Sequence, residues 1–127
     1  AQDSTAEFGG ALRLELNSAA DTESGGCRLT FVAINETETD LSRTGYEVGV
    51  FDASGIVTRL LVLELGALSP GKTRILQFDL AGSTCSDISR IIVNAVAGCT
   101  IAETGVEDTM CLTQLETSSL AQIQFGL

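Results

Sequence analysis

Apolar and polar residues alternate along most of this chain with the period of an extended strand, in which successive side chains point to opposite faces. Leu12, Leu14 and Leu16 are separated by Arg13 and Glu15. The run Cys27–Asn35 is dense in β-forming residues, with Leu29, Phe31 and Ala33 expected on its inner face. Tyr46, Val48 and Val50 alternate next, followed by Val57, Leu61, Leu63 and Leu65. Leu76, Phe78 and Leu80 then alternate strictly within Arg74–Leu80, and Ile91, Val93, Ala95 and Ala97 line a further strand. The C-terminus offers Leu112–Leu115 and then Ile123, Phe125 and Leu127, spaced by Gln124 and Gly126.

Between these runs lie turn-forming segments. Asn17–Gly26 reads as a loop, as does Gly82–Asp87, and Glu36–Asp40 is a short acidic loop. Phe51–Ile56 reads as a tight hairpin, with Asp52 opening the turn and Gly55 taking its left-handed position. Ser69-Pro70-Gly71 makes a second turn, and Thr100–Met110 is polar and irregular. No run has the period of an amphipathic helix. The pattern predicts about seven or eight short antiparallel strands in one all-β domain, an immunoglobulin-like two-sheet β-sandwich. Residues 11–127 form that domain, and the small polar residues 1–10 a flexible N-terminal arm.

Cysteines stand beside these strands. Cys27 opens one, Cys85 precedes another, Cys99 closes it, and Cys111 opens the next segment. An even count at strand ends suits two disulfides in an oxidising compartment. In an immunoglobulin-like strand order the Cys27 strand and the Cys85–Cys99 strand lie in opposite sheets and run the same way. Cys27 then meets Cys85 at one end and Cys99 meets Cys111 at the other, the preferred pairing. If the two strands are instead antiparallel neighbours, Cys27 faces Cys99 and Cys85 is left with Cys111. A zinc site is disfavoured by the absence of His and of any C-x-x-C pair.

Charge and composition exclude several functions. Seventeen acidic residues face seven basic ones, for a net charge of −10, and Lys72 is the only lysine. Nucleic acids and anionic membrane surfaces need a basic footprint that this chain lacks. No apolar run is long enough to span a bilayer as a helix. Without His, a Ser-His-Asp arrangement is excluded. Carboxylate pairs for general acid–base work could come from Glu36, Glu38 and Asp40, or from Glu103, Glu107 and Asp108. Both groups sit in polar loops with no apolar surroundings to raise a pKa, so they read as solvated loop charge. The start Ala-Gln-Asp-Ser-Thr, without Met, is what a mature chain shows after signal-peptide removal, and a chain trimmed by design would start in the same way. Asn35-Glu36-Thr37 matches a glycosylation sequon.

Gly66-Ala67-Leu68-Ser69-Pro70-Gly71-Lys72-Thr73 satisfies the phosphate-loop pattern G-x-x-x-x-G-K-[ST]. That loop must feed a helix whose N-terminus faces the phosphates. Arg74–Leu80 has a strand period instead, so the segment reads as a Pro-Gly hairpin turn. Ser69-x-x-Lys72 matches the nucleophile spacing of penicillin-recognising enzymes, but Pro70-Gly71 again argues for a turn.

Val48-Gly49-Val50-Phe51-Asp52-Ala53-Ser54-Gly55 and the later Leu68-Ser69-Pro70-Gly71-Lys72 resemble the strand, Asp, turn-Gly, strand, leucine-x-Pro-Gly run of bacterial extracytoplasmic immunoglobulin-like domains of the FxLYD type. The resemblance covers Tyr46 to Leu80. Phe51 stands at that family's tyrosine position, and the four cysteines are not part of its pattern. The resemblance implies a β-sandwich with an accessory or binding role and no catalytic residues. The expected protein is therefore periplasmic or secreted and non-enzymatic, needs no cofactor or metal, and contacts another envelope or secreted protein. Glu36, Glu38 and Asp40 together with Glu103, Glu107 and Asp108 are its candidate contact residues. An alternative is a structural subunit that docks through Ile123–Leu127 into a neighbour's sheet.

Overall fold

The computed structural model describes residues 10–127; of the expected N-terminal arm, residues 1–9 lie outside the described residues. Eight strands form among the described residues: β1 (Leu12–Asp21), β2 (Cys27–Asn35), β3 (Leu41–Asp52), β4 (Val57–Leu68), β5 (Thr73–Leu80), β6 (Ile88–Ile101), β7 (Leu115–Ser119) and β8 (Gln124–Gly126). A single helical turn, α1 (Met110–Thr113), precedes β7. The strands make two four-stranded sheets in the orders β5-β2-β1-β7 and β4-β3-β6-β8. The consecutive pairs are antiparallel, as the turns between them require. At one edge of each sheet the pairing is parallel instead, β7 along β1 and β8 along β6. Those strands come late in the chain and are reached by long connections, which is what parallel neighbours need.

The alternation seen in the sequence builds the core directly. β2 buries Cys27, Leu29, Phe31, Ala33 and Asn35 on one face. Phe31 lies fully buried between the layers, edge-on to Phe78 at 6.0 Å and to Phe125 at 5.2 Å. Leu14, Leu16, Leu41, Tyr46, Val48, Leu63 and Ile91 fill the rest. With so few aromatics, this is an aliphatic core closed by three Phe rings and one Tyr.

Bulges account for the positions where period two misplaces a side chain. Asn17 has no partner in β2, so β1 continues past Leu16 to Asp21 with its inward parity shifted to Ala19. The first half of the expected loop Asn17–Gly26 is therefore strand. In β6, Asn94 and Ala97 are extra residues opposite β3. Ala95 and Ala97 consequently face solvent and Val96 turns inward, so the larger side chain takes the core position. The Asn94 amide donates to Glu47 Oε1 at 2.7 Å on the outer face. Thr58 is likewise extra between Arg59 and Val57, which places Val57 opposite Phe51 and half exposed rather than inward. Leu112 falls in α1, and Leu127 is exposed beyond β8.

The two turns take different forms. The β3–β4 hairpin closes as expected: Asp52 Oδ1 accepts the Ser54 and Ile56 amides at 2.9 and 3.0 Å, and Gly55 has φ +87°. Ser69–Lys72 is not a hairpin turn, because β4 lies in one sheet and β5 in the other. It is a corner between layers, with Gly71 at φ +77° and its amide bonded to Asn35 O at 2.7 Å.

One buried side-chain polar atom lacks a partner among the described residues, Thr44 Oγ1, on a residue with no exposed surface. Val has the same shape without the hydroxyl. Thr44→Val is expected to stabilise the domain by about 1 kcal/mol, raising the thermal midpoint by about 4 °C. A lower midpoint in differential scanning calorimetry would contradict this.

Candidate functional site

Asn35 organises the end of the sandwich where the acidic loops emerge. It continues the inward parity of β2, so its amide enters the interior with no exposed surface. Nδ2 donates to Thr39 O at 2.8 Å and to Leu68 O at 2.9 Å. Oδ1 accepts the Thr37 amide at 2.9 Å and the Thr37 hydroxyl at 2.6 Å. One side chain thus ties loop 36–40 to the corner at Leu68–Lys72. The sequon reading of Asn35 fails for the same reason: the nitrogen that would carry a glycan is buried and bonded to two carbonyls.

Loop 102–109 is held as firmly. The Ala102 amide donates to Asp40 O at 2.9 Å, joining the two loops. Glu107 accepts the Cys99 amide at 2.9 Å and the Thr100 hydroxyl. Asp108 Oδ1 accepts the Met110 amide at 2.8 Å at the start of α1. Cys111 on α1 is bridged to Cys99, and its carbonyl accepts the buried Tyr46 hydroxyl at 2.6 Å. Burial pushes the Tyr46 phenol above its ordinary pKa, so it stays a neutral donor.

The six candidate carboxylates divide by role. Glu38, Asp40 and Glu103 meet along a shallow cleft of about 710 Å³, completed by Thr39, Ile101, Ala102 and Thr104. The other three are structural. Glu36 pairs with Arg13 at 2.5 Å, Glu107 folds its own loop and Asp108 accepts the Met110 amide at the start of α1. Among the described residues no group of three or more His, Cys, Asp or Glu is arranged to hold a metal ion.

The Thr100 hydroxyl and then the Cys99 amide hold the Glu107 carboxyl below the usual glutamate range. A depressed carboxyl keeps these bonds above the unfolded value of about 4.3 and loses them as pH falls through its own lower value. An NMR titration is expected to find the Cys99 amide shift following a midpoint below that of free glutamate. A midpoint at or above the ordinary value would refute the arrangement.

The disulfides follow the preferred pairing. Cys27 joins Cys85 across 58 residues and Cys99 joins Cys111 across 12. The phosphate-loop lookalike is divided between the end of β4, the corner and the start of β5, with no helix after it. The Lys72 amide bonds back to Ser69 O at 2.9 Å within that corner. The C-terminal run is occupied within its own molecule: β8 pairs with β6, and Phe125 packs on Phe31. Docking through that run would first have to strip a core residue.

Sequence reasoning missed one surface. On the outer face of β4-β3-β6-β8, Leu60 is 60% and Val62 47% exposed. Leu60 and half-buried Ile92 flank Gly49, where a Cβ would sit 3.5 and 3.8 Å from them. The Arg90 guanidinium covers Phe51 at 4.3 Å beside them. The uninterrupted run Leu60-Leu61-Val62-Leu63 was the signal, since a strand with one wet face should alternate.

The layers, the register and the two staples define an immunoglobulin-like, disulfide-bridged β-sandwich. No protein-family model matches the chain, and no curated protein sequence does. The solved structure of IrmA from Escherichia coli is similar in fold, with 10% identity, a TM-score of 0.60, and coverage of 84% of this chain and 90% of that one. At that identity the likeness concerns the fold alone. Of the resemblance to FxLYD-type domains, the β-sandwich stands. No helix among the described residues is long and apolar enough to cross a membrane.

Proposed function

We propose that this chain is an exported, non-enzymatic accessory domain that binds another envelope or secreted protein through the end of the sandwich bearing Glu38, Asp40 and Glu103. The observation that carries the reading is the convergence of loops 36–40 and 102–109 into one cleft, each fixed by side-chain hydrogen bonds. Rigid loops on a rigid sandwich are the common way this architecture presents a contact surface. Three carboxylates at its rim favour a basic partner surface and speed encounter with it at low salt. Two disulfides suit an oxidising compartment, periplasmic or extracellular.

The test uses the bridged protein as bait in periplasmic extract, beside a variant carrying Glu38→Lys, Asp40→Lys and Glu103→Lys. Wild type should recover a partner reproducibly, and the variant should lose it while keeping its thermal midpoint. Recovery of nothing reproducible, or equal recovery by both baits, would reject the reading.

A further inference from the structure

The two lateral sides of the sandwich differ. On one side β7 and β8 close the gap, with Leu115, Ile123 and Phe125 buried. On the other side β4 and β5 are both edge strands, and the inward residues Leu61, Leu76 and Phe78 are only partly buried. β5 edges its sheet with Arg74, Gln77 and Asp79. Of these, Gln77 bonds to Thr30 and Asp79 pairs with Arg28. β4 has little such protection. From Arg59 to Glu64 it pairs with β3 through six consecutive residues without a bulge, and its sequence there is Arg-Leu-Leu-Val-Leu-Glu. Proteins ordinarily blunt an exposed edge with charge, Pro or bulges, since its free amides and carbonyls invite another strand. Here the bulges lie outside this stretch, at Thr58 and beside Gly66. Exposed Leu60 and Val62 extend the open edge onto the sheet face.

Charge indicates what fits this edge. At the Glu64 end the carboxylate is neutralised by Arg43, with Nη2 to Oε1 at 2.9 Å. At the other end Arg59 donates to Ala81 O at 2.7 Å, and across the same side Arg74 donates to Ala67 O at 3.4 Å. No carboxylate among the described residues pairs with either guanidinium. The side between β4 and β5 is therefore locally cationic on a molecule of net charge −10. A second copy fits poorly. The six-residue edge is a narrow strip only about 20 Å long, which buries far less than the roughly 1,200 Å² of a stable interface, and two strongly acidic chains repel.

We propose that the Arg59–Glu64 edge of β4 accepts an extended acidic segment of a partner protein as an added strand, its apolar side chains beside Leu60 and Val62 and a carboxylate at Arg59. The added strand satisfies the edge's free amides and carbonyls and covers the half-open core at Leu61. This surface is separate from the acidic end of the sandwich and stands whether or not that end binds.

The probe is a short capped peptide alternating valine and glutamate, titrated into the ¹⁵N-labelled, disulfide-bridged chain. It should bind at low-millimolar concentration or better, with shift changes centred on Leu60, Leu61 and Val62. Its twin with alternate amides N-methylated, which cannot add as a strand, should not bind. The double variant Leu60→Thr and Val62→Thr should weaken binding about tenfold, the loss of roughly 1.4 kcal/mol of apolar contact. Arg59→Gln should weaken the glutamate peptide and not its glutamine analogue. The proposal is overturned if the β4 amides stay unmoved, if the N-methylated twin binds equally, or if sedimentation finds a dimer that the double variant dissolves.

Discussion

Asn35→Leu is expected to cost about 3–5 kcal/mol of folding stability, since each buried polar group left unpaired costs about 1–3 kcal/mol. Leu has the branching of Asn and suits an inward position, so the core loses no apolar contact, although its methyl groups are bulkier than the amide and some overpacking adds to the cost. What it loses is the set of bonds that Asn35 makes. Thr39 O and Leu68 O lose their donor, and the Thr37 amide and hydroxyl lose their acceptor. Thr37 is itself buried, so water cannot readily replace the missing oxygen. The backbone bonds from Asn35 to Gly71 and Lys72 remain, so the corner should loosen rather than detach. Asn35→Asp should fare no better, because it keeps the acceptor, removes both donated bonds and places a carboxyl where burial disfavours charge. Urea unfolding measures the loss, and a cost below about 1 kcal/mol for Asn35→Leu would mean that these bonds contribute little net stability. Loop 36–40 should also lose its fixed form, carrying Glu38 and Asp40 away from Glu103.

Removing the Cys27–Cys85 bridge by double Ala substitution is expected to cost about 4 kcal/mol, against about 3 for Cys99–Cys111, because the longer loop releases more chain entropy in the unfolded state. The separations are 58 and 12 residues. The first bridge spans the layers at the start of β2 and just before β6. The second closes a short loop that Glu107, Asp108 and the Tyr46 hydroxyl already hold. Its loss should therefore be felt most at the acidic end, as loosened α1 and a weakened contact surface. Thermal midpoints of the two double variants decide the order; an equal or reversed ranking would show that the local bonds around Cys99 matter more than loop length.

Most strands were legible because hydrophobic burial acts locally. A face that meets the core must carry apolar residues at every second position, and Leu12–Leu16, Cys27–Ala33 and Leu76–Leu80 all do. The misreadings cluster at bulges. At Asn94 and Ala97 one extra residue shifts the parity, and nothing in Asn-Ala-Val-Ala marks which residue is extra. Period two taken at face value turned Ala95 and Ala97 inward, whereas burial of Val96 decided the register. Asn35 could have been read differently: it is the fifth inward position in a row that begins Cys27, Leu29, Phe31, Ala33, and a buried polar group there demands partners. The meeting of Glu38, Asp40 and Glu103 was legible only as two separate acidic loops. Their split from Glu36, Glu107 and Asp108, which serve structural bonds, depends on distances that no spacing encodes.

By itself the chain's sequence determined an all-β sandwich, a preferred pairing of its four cysteines and a strongly acidic character, because alternation, cysteine position and charge are properties of short segments. Tertiary structure alone decided that Ser69–Lys72 turns between layers, that the C-terminal run is consumed by its own sheet, and that β4 is left as an open apolar edge. Each of these depends on which strands become neighbours, and that is settled by competition among distant segments for the same core.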